Sequence, residues 1–232
     1  AQSAGSNYSR QVNTLIGTKG VGLTSGYLYP GATYPYGMVQ FTPSYFSKRS
    51  GFVINQLSGG GCEHMGNFPT FPVKGKLKMS PDNILNYRIN ISEEKGHAGY
   101  YEAMVQEDIK AKLTVTERTG MASYEYPADQ QYGTVIIGGG ISATPIEQAA
   151  IVITAPNKCE GYAEGGNFCG LRTPYKVYFV AEFDTDALES GTWKRNELKP
   201  NTTFAEGEYS GVYFTFDVNK KKNIQYKIGV SY

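Results

Sequence analysis

Apolar and polar residues alternate one for one along much of this chain, and that period admits few folds. In Ile109-Lys110-Ala111-Lys112-Leu113-Thr114-Val115-Thr116 every second side chain is apolar. A strand points successive side chains to opposite faces, so the segment reads as a half-buried strand with lysine and threonine in water. Residues 212–218 and 224–232 alternate in the same way. Tyr175-Lys176-Val177-Tyr178-Phe179-Val180-Ala181-Glu182-Phe183 begins and ends alternating but is apolar through its middle, which predicts a place deeper in a sheet. Weaker strands fall at 37–42, 75–79, 100–106, 121–126 and 134–137. The lone helix candidate, 146–153, lacks a clean cap. Asn219-Lys220-Lys221-Lys222-Asn223 reads as a solvated connection of hairpin length. Many short strands at regular spacing predict an all-β antiparallel sandwich or barrel rather than a βαβ fold.

Composition narrows the function. The 232 residues include 22 Lys and Arg against 21 Asp and Glu, a net charge of +1. No basic excess exists for a nucleic acid or for a polybasic membrane anchor. Charged residues are 19% and aromatics 13%, the balance of a chain that folds. No apolar run is long enough for a membrane-spanning helix. The small, polar start Ala1-Gln2-Ser3-Ala4-Gly5-Ser6 reads as a mature or trimmed terminus compatible with export. Ending inside a strand at Tyr232 predicts that the sequence is part of a longer protein.

Two stretches do not fit a strand ladder, 14–43 and 51–72, both rich in Gly and carrying aromatics. Loops of that length in a compact domain are usually functional or disordered, and their Phe, Tyr and Met favour ordered, functional ones. In the second, three glycines precede Cys62-Glu63-His64, with Met65, Asn67 and Phe68 after them. Glu, His and Asn beside apolar side chains suit a sugar, whose hydroxyls need donors and acceptors and whose C–H face needs an apolar platform. A purely structural Gly loop remains the alternative. The tyrosines at 27, 29, 34 and 36 are either a stacking surface or the rim of a sandwich. Gly138-Gly139-Gly140 and Gly17-Thr18-Lys19-Gly20-Val21-Gly22 miss the spacing of phosphate-binding loops, and no Gly-x-Ser-x-Gly marks an esterase. His97 lies in a polar turn and reads as a surface residue. Its only fellow histidine is His64, and no Cys-x-x-Cys is present, so no metal site is predicted. The three cysteines do not make a disulfide framework. Either all are free thiols, or Cys159 and Cys169 pair across their Gly-rich loop and leave Cys62 over.

The blocks Asn13-Thr14-Leu15-Ile16-Gly17-Thr18 and Tyr29-Pro30-Gly31-Ala32-Thr33-Tyr34-Pro35-Tyr36-Gly37-Met38-Val39-Gln40 resemble the opening of glycoside hydrolase family 92. The resemblance continues through Gln56-Leu57-Ser58-Gly59-Gly60-Gly61-Cys62, Gly66-Asn67-Phe68-Pro69, Gly99-Tyr100-Tyr101, Leu113-Thr114-Val115-Thr116-Glu117-Arg118 and the 175–183 strand. It implies calcium-dependent, inverting exo-α-mannosidases, exported to the periplasm or surface of a bacterium, that trim N-glycans or mannans. It implies a galactose-mutarotase-like supersandwich packed on an (α/α)6 barrel. This chain would be the sandwich alone, one domain over 1–232, with the barrel as its missing partner. The general acid and base that inversion requires would lie in that barrel, so no catalytic residue and no metal ligand is assigned here. Calcium would belong to the full-length enzyme. Carried onto this sequence, the substrate-binding residues are Gly17, Thr18, Tyr29, Gln56, Cys62, Glu63 and His64, with Cys62 on the leaving-group side. The family loop Gly-Phe-Ser-His-x-His-Leu-Ser-Gly is here Gly51-Phe52-Val53-Ile54-Asn55-Gln56-Leu57-Ser58-Gly59, without either histidine. A free-standing carbohydrate-binding module and a cell-surface interaction domain without a sugar ligand are the other readings.

Overall fold

The computed structural model describes residues 8–18, 28–44, 51–60, 62, 64–82 and 90–232. In chain order the strands are β1 (Ala32–Thr33), β2 (Gln40–Pro43), β3 (Phe52–Val53), β4 (Thr70–Lys74), β5 (Ile91–His97), β6 (Tyr100–Val105), β7 (Ile109–Val115), β8 (Thr119–Glu125) and β9 (Tyr132–Gly138). There follow β10 (Ile146–Ala155), β11 (Lys158–Gly165), β12 (Tyr175–Phe183), β13 (Glu189–Lys194), β14 (Glu197–Pro200), β15 (Phe204–Glu206), β16 (Ser210–Asp217) and β17 (Asn223–Ser231). One sheet has eight strands in the order β1-β2-β3-β4-β9-β16-β13-β14. The other has nine, β15-β10-β11-β12-β17-β8-β7-β6-β5. The pairs within each sheet are antiparallel, which makes the fold a β-sandwich.

The core is the aromatic layer between the sheets. Phe183 of β12 meets Phe214 and Phe216 of β16 at 4.9 and 5.0 Å between ring centroids. A buried hydroxyl network spans the same gap. Tyr226 Oη donates to Thr70 Oγ1 at 2.6 Å and lies 3.0 Å from Tyr124 Oη. Thr70 Oγ1 lies 3.1 Å from Tyr124 Oη. Burial pushes the Tyr124, Tyr126 and Tyr226 phenols up, well above the ordinary tyrosine range. The eight-stranded sheet is buried on its outer face too, where Trp193, Ile136 and Phe71 are covered. The segment after β4 crosses that face. Lys76 Nζ reaches Glu189 at 2.8 Å, and Ser80 Oγ donates to Arg195 O.

Several expectations are corrected. Residues 146–153 form the first part of β10, a strand rather than a helix. A register shift between Ile146 and Gln148 puts Ile146 and Ala149 on the same buried side. That bulge gives an i, i+3 apolar spacing, which imitates a helix. The strand placed at 75–79 is instead β4, because Gly75 turns at φ +76° and ends it. His97 closes β5 rather than sitting in a turn, with its ring stacked on Tyr100 at 5.0 Å. The lysine-rich 219–223 connection joins β16 to β17, which lie in different sheets, so it crosses the sandwich edge instead of closing a hairpin. β12 is internal to its sheet, as its apolar middle predicts, yet Tyr178 and Val180 on its outer face are 47% and 41% exposed.

Candidate functional site

The loop after β3 leaves the eight-stranded sheet with Asn55, Gln56, His64 and Asn67 buried. Asn55 and Asn67, at the two ends of this loop, are buried against each other. The Asn67 backbone N–H donates to Asn55 Oδ1 at 2.7 Å, and Asn55 Nδ2 donates to Asn67 Oδ1 at 3.0 Å. Asn67 Oδ1 also accepts from Tyr175 Oη at 2.8 Å. Asn55 Nδ2 donates to Tyr232 Oη at 3.3 Å. Residues from β12 and the chain end therefore pin the loop from the opposite sheet. Burial raises the Tyr175 and Tyr232 phenols, partly opposed by their hydrogen bonds to Asn67 and Asn55.

Gln56 is 1% exposed, and neither its Oε1 nor its Nε2 has a hydrogen-bond partner among the described residues. Gly66, at φ +75°, is packed against it: a Cβ there would lie 3.6 Å from Gln56 Cδ and Nε2 and from Ala143 Cβ. Asn67 Nδ2 is likewise buried and has no partner among the described residues. Each such group costs about 1–3 kcal/mol. Two donors and an acceptor left open on one loop match a ligand that both donates and accepts, as a polyol does. A surface cleft of ≈ 260 Å³ adjoins the cluster at Tyr175, with Glu147, Glu164 and Lys176 in its wall.

A disulfide frames this region. Cys62 pairs with Cys169, at a Cα–Cα distance of 5.4 Å. Both sequence readings are corrected, since the three cysteines are not all free thiols and the Cys159–Cys169 bond does not form. Cys159 faces inward from β11, fully buried, and its thiol is pushed up by burial. Cys169 lies beyond the far end of that strand, and six strand residues span about 20 Å. Nearness in sequence does not become nearness in space when a strand intervenes. The bond fastens the Gly-rich loop to the loop before β12. His64 lies between them, 8% exposed, its ring edge-on to Phe168 at 4.8 Å and its Nδ1 3.4 Å from Asn167 O.

The other proposed contact residues fall on the adjoining flank. Leu28 lies against both Gly17 and Gly59: a Cβ on Gly17 would come within 2.7 Å of Leu28 Cδ1, and one on Gly59 within 4.0 Å of Leu28 Cδ2. Ser58 Oγ accepts from the Tyr29 N–H at 3.4 Å and from Gln40 Nε2 at 2.8 Å. Thr18 Oγ1 donates to Leu15 O at 2.8 Å. Gly17, Tyr29 and Gln56 are thus gathered along one loop, with Cys62 and His64 on its far side, while Thr18 closes a local turn. Glu63 and residues 19–27 lie outside the described residues. Sequence reasoning missed Asn55, Tyr175 and Tyr232, and gave Cys169 the wrong partner. The first two flank or sit within quoted blocks, but nothing in a single sequence marks their convergence.

Among the described residues no cluster of three or more His, Cys, Asp or Glu is placed to hold a metal ion. The open groups are neutral amides with one free carbonyl oxygen, that of Gln56, whereas calcium takes about 6–8 oxygen ligands with carboxylates prominent among them. These residues do not fit a calcium shell, and no step is derived through one.

Residues 11–231 match the glycosyl hydrolase family 92 N-terminal domain. The chain belongs to that family. The family GH92 α-mannosidase BT3965 of Bacteroides thetaiotaomicron superposes with a TM-score of 0.78 at 23% identity, over 95% of this chain and 32% of that one. The GH92 inverting mannosidase BT2199 from the same organism gives 0.72 at 21%, over 95% and 31%. The GH92 glycosyl hydrolase ccman5 gives 0.81 at 21%, over 97% and 32%. An uncharacterized secreted glycosidase of Arthroderma benhamiae is 31% identical over 138 residues, 51% of this chain and 17% of that protein. The GH92 chain described here spans about a third of the length of these solved structures and less of the secreted relative.

Proposed function

We propose that this chain is the N-terminal domain of an exported, inverting exo-α-mannosidase acting on N-glycans or mannans, and that its disulfide-framed loops complete the mannose pocket. The observation that carries the reading is Gln56, buried at the centre of the converging loops with both amide atoms open. Family membership and the mannosidases among the similar structures favour this substrate class. The secreted relative and the disulfide favour export, since disulfides persist in oxidising compartments. Inversion uses one carboxylic acid and one carboxylate on opposite faces of the sugar. The described cluster offers amides and phenols instead. General acid, general base and calcium would therefore belong to the rest of the enzyme, and this chain would orient hydroxyl groups.

The test is made in the full-length enzyme. Gln56→Ala should lower kcat/KM on an unactivated mannobioside by about 10-fold to 100-fold, the value of one or two hydrogen bonds to the reacting sugar. Melting should stay within a few degrees of the parent. An unchanged kcat/KM removes the loop from the pocket. Equal losses for mannosides and glucosides would make Gln56 a structural residue.

A further inference from the structure

The cleft beside Tyr175 is built by an irregularity in the ladder. Ile146 pairs with Gly165 and Gln148 with Glu164, which leaves Glu147 without a register partner between them. A bulge of this kind re-aims a side chain. Glu147 is turned into solvent and lines the cleft of ≈ 260 Å³. Glu164 of β11 and Lys176 of β12, direct partners in register, stand in the same wall. Gly165 and Pro174 complete the lining and add no polar side chain. The charged groups are held in place. Glu147 pairs with Arg172 at 3.0 Å and Glu164 with Lys176 at 2.5 Å. Lys176 Nζ also lies 4.1 Å over the Tyr162 ring and 5.3 Å over that of Tyr178. A side chain ordered in advance loses less freedom when it binds.

We propose that this cleft seats a neutral sugar, the one next along the glycan from the mannose held at Gln56, a subsite that rests on the mannose-pocket reading and extends it. Pairing does not exhaust the wall. An ammonium has three donors and a carboxylate several lone pairs, so each ion pair keeps capacity for hydroxyl groups. The two pairs sum to no net charge, which favours a neutral ligand over an anion. Apolar lining beside a few fixed polar groups is the pattern of a small-molecule site. Tyr175 sets the position. It lines the cleft, and its Oη donates to Asn67 Oδ1 at 2.8 Å, on the loop that carries Gln56. One phenol side chain therefore links the two places, a span comparable to a sugar ring.

The test compares two leaving groups in the full-length enzyme. Glu164→Gln and Lys176→Met are assayed on a mannobioside and on α-mannosyl fluoride, whose leaving group is too small to occupy the cleft. In each variant kcat/KM on the mannobioside should fall about 10-fold further than on the fluoride, the effect of one hydrogen bond to a charged group. The variants remove opposite charges, so either one decides the matter if the other fails to fold. Losses that are equal on both substrates, or absent on both, overturn the subsite, and the mannose pocket stands if Gln56→Ala still lowers turnover. A full-length protein that cleaves no mannoside overturns both readings. Faster cleavage by the parent when the second sugar is a uronic acid overturns the assignment to a neutral sugar.

Discussion

Removing the Cys62–Cys169 bond should destabilise the domain through the unfolded chain. The cysteines are 107 residues apart, so the bond closes nearly half of the sequence into one loop. In the chain-entropy model a loop of that length is worth about 4.8 kcal/mol at 25 °C. Unfolding entropy near 60 °C runs at about 2.1 cal/mol/K per residue, so for a domain of this size the loss corresponds to a fall in Tm of about 10 °C. The pairing first suggested by sequence, Cys159 with Cys169, would close a loop of about 10 residues and contribute only about 2.7 kcal/mol, roughly 5 °C. The size of the shift therefore distinguishes the two bonds.

The measurement is calorimetry on Cys62→Ser/Cys169→Ser beside the parent, with thiols titrated in denaturant. Both cysteines are replaced so that no unpaired thiol can exchange. One free thiol in the unreduced parent and a fall near 10 °C are expected. Three free thiols, or a fall of about 5 °C or less, would refute the reasoning.

Tyr226→Phe should cost about 1–3 kcal/mol in denaturant unfolding, because Thr70 Oγ1 loses its 2.6 Å donor inside the core. Alkaline pH should destabilise the fold. The buried Tyr124, Tyr126 and Tyr226 have folded pKa values raised above the unfolded value near 10. Their contribution is thus complete below that pH. It is lost as pH rises, because the unfolded state releases protons that the folded state holds, at up to about 1.4 kcal/mol per pH unit for each group. Urea midpoints measured between pH 7 and 11 check this, and a flat profile above pH 10 would contradict the burial of these phenols.

How much of this was legible in the sequence depended on the range of the interaction. Period-two alternation located β7, β12, β16 and β17 within a residue or two, because alternation is imposed locally by the pleat. It failed at β10 and β5, where register shifts reset the phase. It could not show that β16 and β17 belong to different sheets, since a short connection looks the same whether it turns back or crosses over. The glycine-rich loops were legible as regions, through composition. Their contents were not: Asn67 meets Tyr175 from 108 positions away, and Asn55 meets Tyr232 from 177.

The chemistry of that hidden cluster also limits what the domain can contribute. Amides have no protonation change in the physiological range, and burial holds Tyr175 and Tyr232 above the ordinary phenol range, so they remain protonated near neutrality. Such groups fix hydroxyls by direction, but none can give up or take a proton at the pace that glycoside cleavage demands. The carboxylates in the cleft wall are already engaged, half-buried Glu164 with Lys176 at 2.5 Å and exposed Glu147 with Arg172 at 3.0 Å. A general acid needs the opposite environment, a desolvated carboxyl whose pKa is raised toward the working pH. On the proposed reading the described rim would orient a sugar and proton transfer would come from groups outside it, and Gln56 is where that division of labour is open to measurement.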